Sequence, residues 1–193
     1  MLDKSNLKEI LKEFNEADSQ RELLIKKSRD VLKLSKQLIY SLHREDLASS
    51  KTLSDDIKNS FEELCKIADK SPELKYSGSY KISAQEYVEA LCYYGFVADN
   101  KLPTHKELKV DHYSYLLGLC DLTGELVRKA INDAIKGRFE SAIKIKEIVE
   151  EIYGELLQFD FRESELRKKF DSIKYDLKRL DDVALSIKLK NGK

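Results

Sequence analysis

Apolar positions in this chain return every three or four residues almost throughout, and no alternating polar and apolar stretch is long enough to make a strand. From about Asn6 to Arg44 the apolar residues Leu7, Ile10, Phe14, Ala17, Leu24, Val31, Leu38 and Leu42 keep a near-helical spacing. That spacing predicts one long helix, bent near Ala17 to Gln20. At about 1.5 Å per residue it runs to roughly 60 Å, wider than a compact domain of this size, so part of it is expected to cross neighbours or to pack on another subunit. A second helix is predicted from about Leu53 to Asp69, stopped by Ser71-Pro72, because the residue before proline disfavours helix. The string KYSGSYK, Lys75 to Lys81, reads as a loop. A third helix carries QEYVEA and ends near Asp99-Asn100, before Pro103. The fourth runs from about Asp111 to Lys136 with Gly137 at its C′ position, and the fifth from about Phe139 to Leu157. The last starts near Ser164 and places Leu166, Phe170, Ile173, Leu177, Leu180, Ala184 and Ile187 on a coiled-coil-like seam.

The predicted fold class is therefore all-α, a bundle of about six or seven antiparallel helices whose long first and last members are candidate assembly surfaces. With two prolines, seven glycines, no internal repeat and no Pro/Gly/Ser-rich linker, the 193 residues read as one domain over 1–193. No apolar run approaches the roughly 20 residues of a membrane span, and MLDKSNLKEI lacks the layout of a signal peptide. A cytoplasmic protein with no membrane partner is expected. Cys65, Cys92 and Cys120 are odd in number and show no CxxC spacing, so they read as reduced thiols rather than a disulfide or zinc site.

Charge changes the picture in two places. The chain holds 35 Lys and Arg against 35 Asp and Glu, so no uniform positive potential covers it. Yet between Arg21 and Arg44 the cations Arg21, Lys26, Lys27, Arg29, Lys33, Lys36 and Arg44 face only Glu22 and Asp30. Such a run neutralises phosphate, which makes Arg21, Lys26, Lys27, Arg29, Lys33 and Arg44 candidate RNA contacts; it also reads as the solvated face of a long helix.

The second place is the pair of segments Ile82–Ala98 and Tyr113–Val127, whose 32 positions hold four charged residues, all acidic: Glu86, Glu89, Asp121 and Glu125. Glu86 and Glu89 are three apart and Asp121 and Glu125 four apart, so each pair projects from one helix face. A carboxylate on an apolar face is costly unless paired, protonated or bound to a cation, and neither segment supplies Lys or Arg. Oxygen ligands without His or Cys suit Mg²⁺ or Mn²⁺, with waters and a substrate phosphate completing the shell. The chemistry that follows is metal-assisted phosphoryl transfer to water, with one carboxylate available as general base. Two structural readings stand beside it. Ser83-x-x-Glu86 fits a capping box, and the remaining acids can pair with Lys or Arg from other helices. Gly118 and Gly124 inside a helical pattern would be explained by a close helix approach at the cluster. Tyr87, Tyr93 and Tyr94 surround the first acidic pair, where packing competes with base stacking. His43 beside Arg44 reads as a surface or capping residue.

The strings QEYVEA, Gln85 to Ala90, and YLLGLCDLTGELVR, Tyr115 to Arg128, resemble the signature segments of translin-associated factor X, the catalytic branch of the translin family. KKSRDVLKLSKQLIYSLHR, Lys26 to Arg44, is similar to that family's basic first helix, and the tail from Leu166 to Gly192 resembles the terminal helix of translin. The resemblance spans essentially the whole chain. It implies a translin-like bundle that assembles into a closed oligomeric barrel, commonly an octamer, holding RNA inside. It also implies that Glu86, Glu89 and Asp121 are the catalytic carboxylates of a Mg²⁺-dependent (or Mn²⁺-dependent) endoribonuclease cleaving short, single-stranded or duplex RNA, with Glu125 a further acidic metal neighbour. A factor X-like centre joined to a translin-like tail, without the long eukaryotic insertion, implies an archaeal or prokaryotic type that forms homo-oligomers; a translin-like partner subunit is the alternative. Competing readings are a non-catalytic assembly binding RNA or single-stranded DNA, and an all-α nucleoside triphosphate pyrophosphatase, whose second acidic pair is usually three apart rather than four. A di-iron bundle is disfavoured because none of His43, His105 and His112 follows a Glu by three residues.

Overall fold

The N-terminal apolar stripe forms a single helix, α1 (Lys4–His43), but only its second half is covered: Leu24, Val31, Leu38 and Leu42 are buried, whereas Leu7, Ile10 and Phe14 are exposed, Phe14 by 67%. The computed structural model describes residues 2–162 and 164–191, so Gly192, at the end of the tail string, lies outside the described residues. Among the described residues the helices that follow are α2 (Leu47–Ala68), α3 (Pro72–Lys75), α4 (Gly78–Asp99), α5 (His105–Leu108), α6 (His112–Ile135), α7 (Phe139–Leu156) and α8 (Ser164–Asn191), with no strand. Six are long and match the predicted set; α3 and α5 are single turns.

Two boundaries differ from the sequence expectation, each for a local reason. Helix α2 starts at Leu47 rather than near Leu53, because Asp46 caps it by accepting from the Ser49 amide at 3.1 Å. Its opening LASSKTLS looks polar, yet Ser50 and Ser54 face inward, and Ser50 Oγ meets Ser41 Oγ of α1 at 2.7 Å. Small hydroxyls here let two helices approach where a hydrophobic pattern is absent. Helix α4 starts at Gly78, inside the expected loop, because Ser77 caps it by accepting from the Tyr80 amide at 3.3 Å. That overturns the capping box proposed for Ser83 and Glu86: Ser83 lies inside the helix and donates back to the carbonyls of Ser79 and Tyr80 at 2.8 and 2.9 Å. Glu86 is thereby left free of any capping role. Gly137 does take the left-handed conformation expected after α6, at φ 78°.

Packing runs in a continuous series: α1 touches α2 and α4, α4 touches α6, and α6 touches α7 and α8. The seam of α8 is used inside the protomer, with Leu166, Phe170, Ile173, Leu180 and Ile187 buried against α6 and α7. At the far end of α6, Asp133 is 1% exposed and accepts from Lys129 Nζ at 3.0 Å, Arg138 Nε at 2.9 Å and Ser141 Oγ at 2.6 Å. Arg138 also pairs with Glu45, as does Lys136 at 2.7 Å, so the α6–α7 turn is tied to the end of α1. This fixes where α1 finishes relative to α6.

The centre of the bundle is set by a glycine. A Cβ on Gly118 of α6 would lie 2.6 Å from Val88 Cβ and 2.9 Å from the Gln85 carbonyl of α4, whereas one on Gly124 would meet nothing within 4 Å. Only the first glycine is explained by a close helix approach. Gly118→Ala is expected to lose about 1–2 kcal/mol in urea unfolding, overpacking outweighing helix propensity, while Gly124→Ala is expected to gain up to about 1 kcal/mol.

Candidate functional site

The contact that Gly118 permits places Glu86 and Glu89 of α4 beside Asp121 and Glu125 of α6, close enough that the charges of Asp121 and Glu125 act on both glutamates. Glu89 is 9% exposed and has no hydrogen-bond partner among the described residues. Burial first, then the charges of Asp121, Glu86 and Glu125, push its carboxyl up to about 8, against a small opposing effect from Lys169. Burial also raises Glu86, which Lys36 of α1 partly relieves. These two side chains hold lone pairs that no donor among the described residues satisfies.

The other two acids are held. Asp121 Oδ1 accepts from Lys169 Nζ of α8 at 2.6 Å, and its second oxygen accepts from the Gln85 amide of α4. Glu125 accepts from His43 Nε2, with Arg128 at 3.7 Å. The hydrogen bond from His43 is the main reason its carboxyl is lowered, and it outweighs burial. Because an ionised carboxylate only accepts, Nε2 carries a hydrogen, and Nδ1 is hydrogen-bonded with the buried Tyr93 hydroxyl at 3.1 Å. His43 is therefore part of this site rather than a surface residue.

Tyr87 is used in packing, stacked on Phe61 at 4.0 Å between centroids. The three cysteines are free. No described helix is long and apolar enough to cross a membrane.

Among the described residues, no group of three or more His, Cys, Asp and Glu side chains stands already gathered around a metal position. The donor set nevertheless fits a hard divalent cation. Two half-buried or buried carboxylates lack partners, a third is engaged only by an ammonium and an amide, and all are oxygen donors. A cation there would offset the burial and the like charge that raise Glu89.

The basic segment divides. Arg29 and Lys33 share an open groove on α1 with Lys36 and Tyr40, and Lys36 is the residue whose charge reaches Glu86. Arg44 is exposed, with its guanidinium 5.8 Å from the Tyr40 ring centroid, and Lys26 is exposed on α1. Arg21 lies in a separate groove with Phe14, Lys70 and Leu74. Lys27 does not join the others, because its ammonium is paired with Glu63 of α2. Sequence reasoning missed Lys169, Gln85 and the role of His43. Lys169 and His43 reach the acids from 48 and 82 positions away, and Gln85, although beside Glu86, meets Asp121 of the other helix, so no local spacing reveals these contacts.

Comparison with known proteins places this arrangement. The model of the Translin family matches residues 19–191. An uncharacterized protein of Methanocaldococcus jannaschii is 30% identical over 157 residues, covering 80% of this chain and 70% of that protein. Translin-associated protein X of Rattus norvegicus is 23% identical over 229 aligned positions, covering 96% of this chain and 78% of its own. Among solved structures, apo-NeC3PO superposes with a TM-score of 0.89 at 32% identity, over 96% of this chain and 97% of that one. The AfC3PO complex with duplex RNA gives 0.88 at 26% identity, over 96% and 97%.

A raised carboxyl fixes a sign for stability against pH. Between the ordinary value of 4.5 and about 8, folded Glu89 keeps a proton that the unfolded chain releases, so stability falls as pH rises through that window. Glu89→Gln is expected to flatten the decline and to be more stable than the parent at alkaline pH, as read by urea unfolding across the window. An unchanged profile would place the Glu89 carboxyl in water.

Proposed function

This chain belongs to the translin family, and on that footing we propose that it is a divalent-metal-dependent endoribonuclease acting on short or single-stranded RNA inside an oligomeric shell. The observation that carries the reading is the unpartnered, buried Glu89 beside Glu86, whose carboxyl feels the charge of Lys36, a residue that also lines a groove on α1 with Arg29 and Lys33. The RNA named in a structural neighbour at 26% identity supports a polyanionic substrate.

In this reading Glu86, Glu89 and Asp121 hold Mg²⁺ or Mn²⁺. When bound there, such an ion would supply a water of lowered pKa and positive charge against the phosphate. Arg29, Lys33 and Lys36 bind the flanking phosphates and set the strand against the acids. Glu125, kept ionised by His43, accepts a proton at its carboxylate oxygen, and the Tyr93 hydroxyl fixes the imidazole orientation that makes this possible. Burial of the α4–α6 seam keeps bulk water from the Glu89 side. The exposed apolar residues Leu7, Ile10 and Phe14 provide surface for contact between copies, and an octameric homo-oligomer is the assembly we propose.

One observation favours a second reading, a non-catalytic RNA-binding assembly: Asp121 and Glu125 are already satisfied by Lys169 and His43. Cleavage of short labelled RNA separates the two. Purified protein is expected to cut with Mg²⁺ and to stop with chelator, and Glu89→Gln is expected to lose activity by about a hundredfold or more while RNA affinity is kept. Binding without cleavage under every metal condition selects the second reading. Lys33→Gln and Lys36→Gln together are expected to weaken binding and lower the salt slope by about 1.4 for single strands; an unchanged slope would put this groove outside the RNA path.

A further inference from the structure

We infer that Lys169 is the resident counter-ion of the acidic site, and that a divalent cation enters by displacing its ammonium from Asp121. The inference rests on the proposed metal dependence and deepens it, by naming the residue that sets the affinity.

Its basis is geometric. Four carboxylates converge between α4 and α6, and the cation that α6 itself brings, Arg128, lies 3.7 Å from Glu125 rather than at Asp121. The ammonium that touches Asp121 comes from α8, with Lys169 Nζ 2.6 Å from Oδ1. Both side chains are half-buried, at 28% and 23% exposure, which strengthens the pair relative to one in open water. The Lys169 charge also acts on Glu86 and Glu89, so it serves three of the four acids at once. A lysine donates and never accepts, so it fills the role of a bound cation without offering a ligand.

Lys169 and a metal ion cannot share that oxygen. Direct coordination requires the lone pair at Asp121 Oδ1 that the ammonium occupies, and two cations at contact distance repel. What gives way is the side-chain head. Leu166 and Phe170, either side of Lys169, are buried and anchor α8, whereas the ammonium has Asp121 as its one contact partner among the described residues and lies near solvent. Gln85 keeps its bond to the second oxygen of Asp121, so the carboxylate stays aimed when Lys169 leaves. The buried, unpartnered Glu89 then meets the incoming ion. Without the ion the cluster remains compact, because a positive charge is already built in.

The test is Mn²⁺ binding by calorimetry or electron paramagnetic resonance on the full chain. Lys169→Met keeps the apolar stem and removes the competitor, and is expected to bind Mn²⁺ about tenfold more tightly than the parent, equivalent to about 1.4 kcal/mol. Lys169→Arg, which keeps a cation, is expected to bind no more tightly than the parent. Equal or weaker binding by a folded Lys169→Met overturns the inference and leaves the metal site standing; absence of Mn²⁺ binding in parent and variant alike removes the metal-dependent function itself. A second measurement needs no variant. Amine-selective acetylation followed by peptide mass spectrometry should show Lys169 reacting several-fold faster in Mg²⁺ than in chelator, whereas an equal or slower rate would show that the ammonium stays on Asp121.

Discussion

The α4–α6 contact is the constraint on which the rest of the molecule depends. Gly118 has no side chain because Val88 and the Gln85 carbonyl occupy the place where one would go. Helices that approach so closely bring their surface groups into a small volume, and here those groups are acids. The arrangement costs free energy: Glu89 is buried, unpartnered and surrounded by like charge. A fold tolerates such a residue only when packing elsewhere over-determines its position. The buried faces of Leu122, Leu126, Val88 and Leu91 supply that packing, on the same two helices that carry the acids.

Besides Arg128 of α6 itself, the groups that face these acids come from the two ends of the chain. Lys36 and His43 belong to α1 and Lys169 to α8, and neither of these helices is bound by the limits that the α4–α6 seam imposes. This separates two functions in space. The central pair of helices concentrates negative potential, and the outer pair offsets it, with an ammonium on Asp121 on one side and an imidazole bonded to Tyr93 on the other. The Asp133 clamp has a place in this scheme. By tying the α6–α7 turn to Glu45, it holds the end of α1 so that His43 reaches Glu125.

Helical class, the six long elements and the four acids were legible because each rests on a local signal: apolar spacing, Gly137 after α6, or the exclusion of Lys and Arg from two segments. The start of α2 was not, since Ser50 and Ser54 do the work usually assigned to larger apolar groups. The Ser83–Glu86 capping box looked plausible for the opposite reason: the motif is local, but Ser77 already caps the helix six residues earlier. His43 and Lys169 were illegible as site residues because their partners lie 82 and 48 positions away. Lys27 and Lys33 look equivalent in a list of charges, yet they lie on different faces of α1, one spent on Glu63 and the other open in the groove.

Charge links the groove to the acids. Arg29, Lys33 and Lys36 follow one face of α1 at helical spacing, and in the function proposed here that face would hold the phosphates that flank Glu86. Lys36 is where the two potentials meet, since the same ammonium that lines the groove moderates the Glu86 carboxyl. In the nuclease proposed here, a polyanion drawn along that face would still meet the negative charge of the α4–α6 acids, two of them already held by Lys169 and His43. Replacing the monovalent ammonium on Asp121 by a divalent cation would raise the local charge without moving a helix. Metal entry and substrate approach would then be coupled through electrostatics, and the close α4–α6 seam is what would let such a small exchange matter.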